Sequence, residues 1–431
     1  MKILVLDGVK EAGVEALQRP GWQVDITSER WTEAELISRI GTYDALIVRS
    51  ATKVTAAVIE AAHSLKVIGR AGVGVDNIDL EAATRRGIVV VNAPDGNTIA
   101  AAEHSFALML ALARNIPQGD SSLKQGRWDR KNLVGVELRQ KTLGILGLGR
   151  IGSAVARRAQ AFDMLCLGYD PYISVEQANR LGIELVPLNI LLERSDFITI
   201  HMPLTEDTRH LLDTKALSLM KPGVRVINVA RGGIIDEAAL AEAINTGRIA
   251  GAAVDVFEEE PVVSSPLLDC PNVVLTPHLG ASTEEAQLHV AVDVAEAIAK
   301  FLDGGLPNNA VNMATIAPEV MEKLAPYIQL AEQLGAFLAQ MAGGISRLRV
   351  TYSGALMDWK TGPITTSILK GMLERIVDDH VNLVNADYLA RRRGIKVETV
   401  HRGNGDDYHN RIAAEAETAE GMVTVAGSVF Q

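Results

Sequence analysis

The sequence predicts an α/β protein: two parallel-sheet lobes followed by a smaller α+β unit. Three observations predict it. The 431 residues make room for roughly three domains of ordinary size. Short β-branched runs alternate with helix-length amphipathic segments, which is the rhythm of a parallel sheet covered by helices. That rhythm breaks and restarts once, and past Pro307 it gives way to longer helices between widely separated strands.

The first series has strand candidates at residues 3–6, 24–27, 45–48, 67–69 and 88–91, with helical patterns such as 32–40 and 55–62 between them. The turn cluster Asn92-Ala93-Pro94-Asp95-Gly96-Asn97 interrupts it, and an apolar helix over about 98–114 and a polar stretch to Gln140 follow. The second series runs through 143–146, 165–169, 197–200, 224–229, 252–256 and 273–275. Both read as Rossmann-like or flavodoxin-like lobes, with a cleft expected between them for ligands. A helix over 283–302 could return to the first lobe, which is then discontinuous. The expected division is 1–97 with 283–311, then 98–282, then 312–431. In the last part helices are expected over 319–341, 364–376 and 381–393, and strands over 345–352, 395–401 and 422–430.

Composition removes several classes of function. Acids number 53 against 42 Lys and Arg, a net charge of −11, so no basic surplus is left for nucleic acid. Cys166 and Cys270 show neither CxxC spacing nor a neighbouring His cluster. Neither a disulfide framework nor a metal site is expected, and a reducing compartment fits. The longest apolar stretch, 99–113, contains Glu103 and His104 and is too short for a bilayer. The N-terminus enters a strand at once without a leader pattern. A cytoplasmic protein with no membrane partner is expected.

Gly147-Leu148-Gly149-Arg150-Ile151-Gly152 is a GxGxxG element between an apolar strand and a helical run, and Asp170 lies 23 residues after Gly147. Each residue has a job in dinucleotide binding. Gly147 makes the tight turn, Gly149 lets the backbone approach a pyrophosphate, and Gly152 lets helix meet sheet. Asp170 can accept from both ribose hydroxyls and repel a 2′-phosphate, which favours NAD over NADP. Three further strands are each followed by a polar group: Arg231, Glu260 and His278. A guanidinium can hold a 2-oxo acid. An imidazole backed by a carboxylate can exchange a hydroxyl proton while hydride moves.

At these residues the sequence resembles the D-isomer-specific 2-hydroxyacid dehydrogenases, in particular the members that act on a phosphorylated hydroxy acid. The resemblance spans about the first 310 residues. It rests on 70–79, the glycine motif, Asn228 to Gly233, Asp255 to Pro261 and Pro277 to Thr283. It implies that Arg231, Glu260 and His278 are catalytic, and that Arg150, Ile151, Asp170, Ala230, Asp255 and Gly280 join the glycines at NAD. It implies a substrate site at Arg49, Ser50, Arg70, Gly72 and Asn97, with Trp128 to Lys131 adding cations from a neighbouring subunit. Some members carry Thr where this sequence has Val73 and Met202, so those hydroxyl contacts are not expected here. The implied reaction is NAD-dependent oxidation of D-3-phosphoglycerate to 3-phosphohydroxypyruvate, the first step of phosphorylated serine biosynthesis, in a homodimer or homotetramer. A dehydrogenase for another D-2-hydroxy acid and a non-catalytic NAD sensor are the alternatives.

Residues 312–431 resemble the intervening domain of the longer bacterial members, through 351–354, 363–367, 384–386 and 425–430. In those relatives an amino-acid-binding ACT domain follows. None lies within this sequence, which is either a shortened form of a longer protein or a protein without that regulator, and serine feedback is not supported. Thr365-Thr366-Ser367 read as helix caps, with an anion cradle as the competing reading. Arg391-Arg392-Arg393-Gly394 suit a helix C-terminus. His380, His401 and His409 lack metal-ligand spacing, and Asp406-Asp407 reads as a solvated turn. The unit could also serve assembly.

Overall fold

In the computed structural model, residues 1–314, 318–354, 356, 359, 361–377, 380–403 and 410–429 are described. The chain divides into two compact units, Met1–Pro94 with Leu288–Gln431, and Asp95–Gln287. In the first unit β1 (Lys2–Val5), β2 (Gln23–Ile26), β3 (Ala45–Val48), β4 (Val67–Arg70) and β5 (Val89–Asn92) form a parallel sheet ordered β2-β1-β3-β4-β5. Strands covered on both faces read as continuous apolar runs, as β1 and β3 do. Helices α1 (Glu33–Arg39), α2 (Ala56–Ala61) and α3 (Leu80–Arg85) bury Leu36, Val58, Ile59 and Ala82 against Leu4, Leu46 and Ile68. Side chains of Thr32, Thr55 and Asp79 accept the first orphan N–H groups of these helices, which fixes where each begins.

The second unit contains α4 (Thr98–Ala113), α5 (Ile116–Lys124), β6 (Thr142–Leu146), α6 (Arg150–Ala161), β7 (Leu165–Tyr169), α7 (Val175–Arg180), β8 (Glu184–Leu185), α8 (Leu188–Arg194), β9 (Phe197–Ile200), α9 (Thr214–Leu219), β10 (Val224–Asn228), α10 (Glu237–Asn245), β11 (Ile249–Val254) and β12 (Val273–Leu275). Its parallel strands run β12-β11-β10-β9-β6-β7-β8. One face takes Met109 and Leu112 of α4 and Val155 and Ala159 of α6. The other takes Leu191, Leu217 and Leu240 of α8, α9 and α10. The polar stretch expected up to Gln140 in fact contains α5, entered through Asn115 at φ +54° and carrying Pro117 in its first turn. Its polar sequence hides a helix that the proline position permits.

Helix α11 (Glu284–Leu302) lays Val290, Val294 and Ile298 on the open face of the first sheet, against Ile3, Val5 and Ile47. Gly69 makes room, since a Cβ there would lie 2.3 Å from Val294 Cγ1. Beyond it come α12 (Pro318–Met341), β13 (Arg347–Gly354), α13 (Gly362–Leu373), α14 (Ala386–Arg392), β14 (Lys396–Arg402), β15 (Asn410–Thr418) and β16 (Gly421–Ser428). The sheet order is β14-β13-β15-β16, with β13 and β14 parallel and the other pairs antiparallel. Leu334, Leu338, Ile364, Ile368 and Met372 cover one face of it. Helices α12 and α13 touch backbone to backbone, because Gly335 and Gly371 would each put a Cβ 2.0 Å from a carbonyl of the other helix.

Three expectations for this region need correcting. Strand β15 is absent from the sequence reading. The helix expected over 381–393 is only Ala386–Arg392, because Asn382 and Asn385 fold the preceding residues into a turn through Asn382 N–H to Asn385 Oδ1 at 2.8 Å and Val384 N–H to Asn382 Oδ1 at 2.9 Å. Thr365, Thr366 and Ser367 are neither caps nor an anion cradle. They lie buried inside α13, bonded to Tyr352, Asp387 and Pro363. Asp406, Asp407 and His409 lie outside the described residues. Among the described residues no helix is long and apolar enough to cross a membrane.

Candidate active site

Strand β6 lies between β7 and β9, where the strand order reverses, and its carboxyl end is the crevice position of an open parallel sheet. The three glycines after it divide by environment. Gly147 stands at φ +92°, and a Cβ there would lie 2.6 Å from His201 O. At Gly152 a Cβ would fall 2.0 Å from Gly147 O. The fold itself therefore demands both. At Gly149, the residue before α6, a Cβ would meet nothing within 4 Å. Open space above a helix N-terminus is what an anionic group uses.

Asp170 ends β7, accepting Leu148 N–H on Oδ2 at 2.8 Å and Tyr172 N–H on Oδ1 at 2.9 Å. It lines a cavity of about 440 Å³ with Leu148, Gly149, Tyr172 and Ile173. Arg150 pairs with Asp95, and Ile151 packs half-buried on the core beneath. Turn, open helix end and the cavity beside Asp170, which Arg180 also lines, fit the adenosine diphosphate half of a dinucleotide. Gly149→Ala should accordingly cost less than about 1 kcal/mol of stability in cofactor-free protein. It should weaken NAD binding by about tenfold or more, or ~1.4 kcal/mol; calorimetric titration beside a melting curve checks both.

The carboxyl ends of β10, β11 and β12 lie side by side and deliver the other three groups. After β10, buried Asn228 closes the turn by donating to Arg231 O at 2.9 Å and accepting Ala230 N–H at 3.0 Å. Arg231 Nη1 donates to Ala230 O at 2.7 Å. Gly232 lets this turn lie against the next, since a Cβ there would sit 1.8 Å from Phe257 O. Glu260, after β11, accepts Phe257 N–H on Oε1 at 3.0 Å and meets His278 Nδ1 through Oε2 at 2.7 Å. A carboxylate can only accept, so Nδ1 carries the hydrogen and Nε2 is the nitrogen left for proton exchange. Burial pushes the Glu260 carboxyl up, but its bonds with His278 and Phe257 outweigh that and hold it below the ordinary range.

His278 stands in the left-handed region at φ +55°, and its N–H donates to Asp255 O at 2.9 Å. The structure places the Asp255 carboxylate wholly inside, at 0% exposure. It receives His104 Nε2 at 3.2 Å, Thr276 Oγ1 at 2.5 Å, Leu279 N–H at 2.7 Å and Gly280 N–H at 2.9 Å. Burial alone would raise its pKa; the bonds from His104, Thr276 and Leu279 bring it below the usual carboxylate value. Sequence reasoning gave His104 no role, although an ionisable residue in the most apolar helix was the visible signal.

In the first unit Arg49, Ser50, Arg70 and Gly72 gather at the carboxyl ends of β3 and β4, where Val48 pairs with Arg70. Asp7, also unforeseen, holds the Arg49 loop by accepting Arg49 N–H at 2.8 Å, Thr52 N–H at 3.1 Å and Thr52 Oγ1 at 2.7 Å. The Arg70 guanidinium lies over Gly72, where a Cβ would be 1.4 Å from Nη1. Asn97 precedes α4, and its Oδ1, like Thr98 Oγ1, is buried without a hydrogen-bond partner.

Residues 106–280 match the NAD binding domain of the D-isomer specific 2-hydroxyacid dehydrogenases, and 323–431 match the D-3-phosphoglycerate dehydrogenase intervening domain. The chain is 49% identical over 431 residues to D-3-phosphoglycerate dehydrogenase of Synechocystis sp., covering 100% of this chain and 77% of that protein. It is 50% identical over 433 residues to the enzyme of that name from Methanocaldococcus jannaschii, covering 100% and 82%. Among solved structures, TT0316 protein from Thermus thermophilus superposes with a TM-score of 0.67 at 35% identity, over 72% of this chain and 100% of that one. D-lactate dehydrogenase from Aquifex aeolicus, complexed with NAD and lactic acid, superposes with a TM-score of 0.62 at 29% identity, over 70% and 96%. A dinucleotide turn and a carboxylate-backed histidine on one sheet edge, with identity of this extent, place the chain among the D-isomer-specific 2-hydroxyacid dehydrogenases, in their D-3-phosphoglycerate dehydrogenase branch.

Proposed function

We propose that this chain oxidises D-3-phosphoglycerate to 3-phosphohydroxypyruvate with NAD. The observation that carries the chemistry is the 2.7 Å contact of His278 Nδ1 with Glu260. NAD, when bound, supplies the hydride acceptor for C2. His278 Nε2 takes the hydroxyl proton, Glu260 offsets the imidazolium charge that results, and Arg231 holds the substrate carboxylate. Gly147, Gly149, Gly152, Arg150, Ile151 and Asp170 bind the cofactor's adenosine diphosphate part, with Ala230, Asp255 and Gly280 framing the nicotinamide end. Arg49, Ser50, Arg70, Gly72 and Asn97 bind the substrate's anionic groups, local cations being needed against a net charge of −11. The working division is a substrate-binding lobe of 1–97 with 283–311, a nucleotide domain of 98–282 and an intervening domain of 312–431. A homodimer or homotetramer in the cytoplasm is supported by the family alone.

Steady-state turnover of phosphoglycerate, glycerate and D-lactate by the purified chain, with NAD and with NADP, tests this. Phosphoglycerate with NAD should give the highest kcat/KM. Preference for an unphosphorylated acid sinks the substrate, and equal use of NADP sinks the role of Asp170.

A further inference from the structure

Helix α4 carries two neighbouring ionisable side chains with different partners. Glu103 meets Arg158 of α6 at 3.0 Å, while His104 points at the strand ends, its side chain 21% exposed, and reaches Asp255. Asp255 Oδ1 is an acceptor only, so His104 Nε2 must carry the hydrogen it shares with that oxygen and with Thr276 Oγ1, each at 3.2 Å. Thr276 in turn donates to the same oxygen. The carboxylate so oriented accepts Leu279 and Gly280 N–H. Its own backbone carbonyl accepts His278 N–H. The donors thus enclose the catalytic candidate on both sides.

A left-handed non-glycine residue persists only where its surroundings over-determine it. At His278 those surroundings are the Asp255 contacts. We infer that His104 is a positioning residue for the reaction: through Asp255 and Thr276 it fixes the 278–280 backbone, and thereby the aim of the His278 imidazole along Glu260. This rests on the catalytic reading above and adds a residue to it. The hydrogen bonds of the His104 ring go to Asp255 and Thr276, so its effect passes through the buried carboxylate. Removing its N–H leaves Asp255 with one donor fewer in a fully buried site, and the carboxylate then re-orients toward the remaining ones.

The test uses the full chain with His104→Ala, His104→Gln and Thr276→Val. Glutamine can place an Nε2–H near that of histidine, so His104→Gln should keep kcat within about threefold of the parent. His104→Ala should lower kcat by about ten- to a hundredfold, the scale of a small misplacement of a reacting group. KM for phosphoglycerate should stay within about twofold. Thr276→Val removes the second donor to the same oxygen and should lower kcat in the same direction, which covers the case in which the alanine variant does not fold.

A substrate-independent readout is the low-field proton resonance of His278 Nδ1–H, assigned by its loss in His278→Gln. It should shift or broaden in His104→Ala and return in His104→Gln. Parental kcat and an unchanged resonance in His104→Ala overturn the inference, whatever happens to the melting temperature. Failure of the parent to oxidise phosphoglycerate would instead remove the substrate assignment, and the resonance would still decide the positioning role.

Discussion

Replacing His278 by glutamine lowers kcat by about 10²–10⁴-fold, the span that a positioned general acid or base contributes. NAD binding and melting temperature should change little, because the imidazole is an exposed side chain held by the 2.7 Å bond to Glu260 Oε2. Glutamine keeps a polar side chain there. What it lacks is a nitrogen that can take a proton at neutral pH. Glu260→Gln on top of it should then cost almost nothing further, since the two act as one unit. A His278→Gln enzyme with more than about a tenth of parental kcat would mean that the proton goes elsewhere, and the mechanism would fall with it.

The parts of this site that were legible in the sequence are those written as short spacings after a strand. Gly147, Gly149 and Gly152 announce a backbone geometry within six residues, and Asp170 closes it one strand later. Arg231, Glu260 and His278 were each visible as a polar group following an apolar run, and parallel strands place such groups on one edge. His104 and Asp255 stand 151 positions apart, and local pattern does not encode a pairing of that span. The same limit hid β15. Its inward side chains Ala414 and Ala416 are too small to stand out from outward Glu415 and Glu417, and alanine and glutamate favour helix by intrinsic propensity. Pairing with β13 on one side and β16 on the other overrides that preference. In α13 the opposite error arises. Thr365, Thr366 and Ser367 look like a helix start by composition, yet the helix begins three residues earlier at Gly362, and the hydroxyls bond to partners brought close only by folding: Tyr352, Asp387 and Pro363.

Gly232→Ala should disable the enzyme without touching any group that reacts. No left-handed backbone is involved at Gly232; the obstacle is contact alone. A Cβ would lie 1.8 Å from Phe257 O, 2.1 Å from Phe257 C and 2.7 Å from Glu258 N. All three are backbone atoms, so no side chain can rotate away. The turn bearing Arg231 and the loop bearing Glu260 must separate, and Phe257 N–H, which bonds Glu260 Oε1 at 3.0 Å, is displaced with the residue whose carbonyl clashes. A shift of about 1 Å in a catalytic group costs on the order of 10² in rate, and overpacking of this kind costs about 1–3 kcal/mol of stability. Gly233→Ala supplies the contrast. Gly233 does stand at φ +77°, but its Cβ would meet nothing nearer than Arg209 Nη1 at 3.5 Å. It should therefore lose about 1–2 kcal/mol through backbone strain while keeping most of its kcat. If the two variants instead lose activity in proportion to melting temperature, the contact between the two turns is merely structural. Loss of kcat/KM confined to Gly232→Ala, at matched stability, identifies that backbone contact as what sets Arg231 and Glu260 at their working separation.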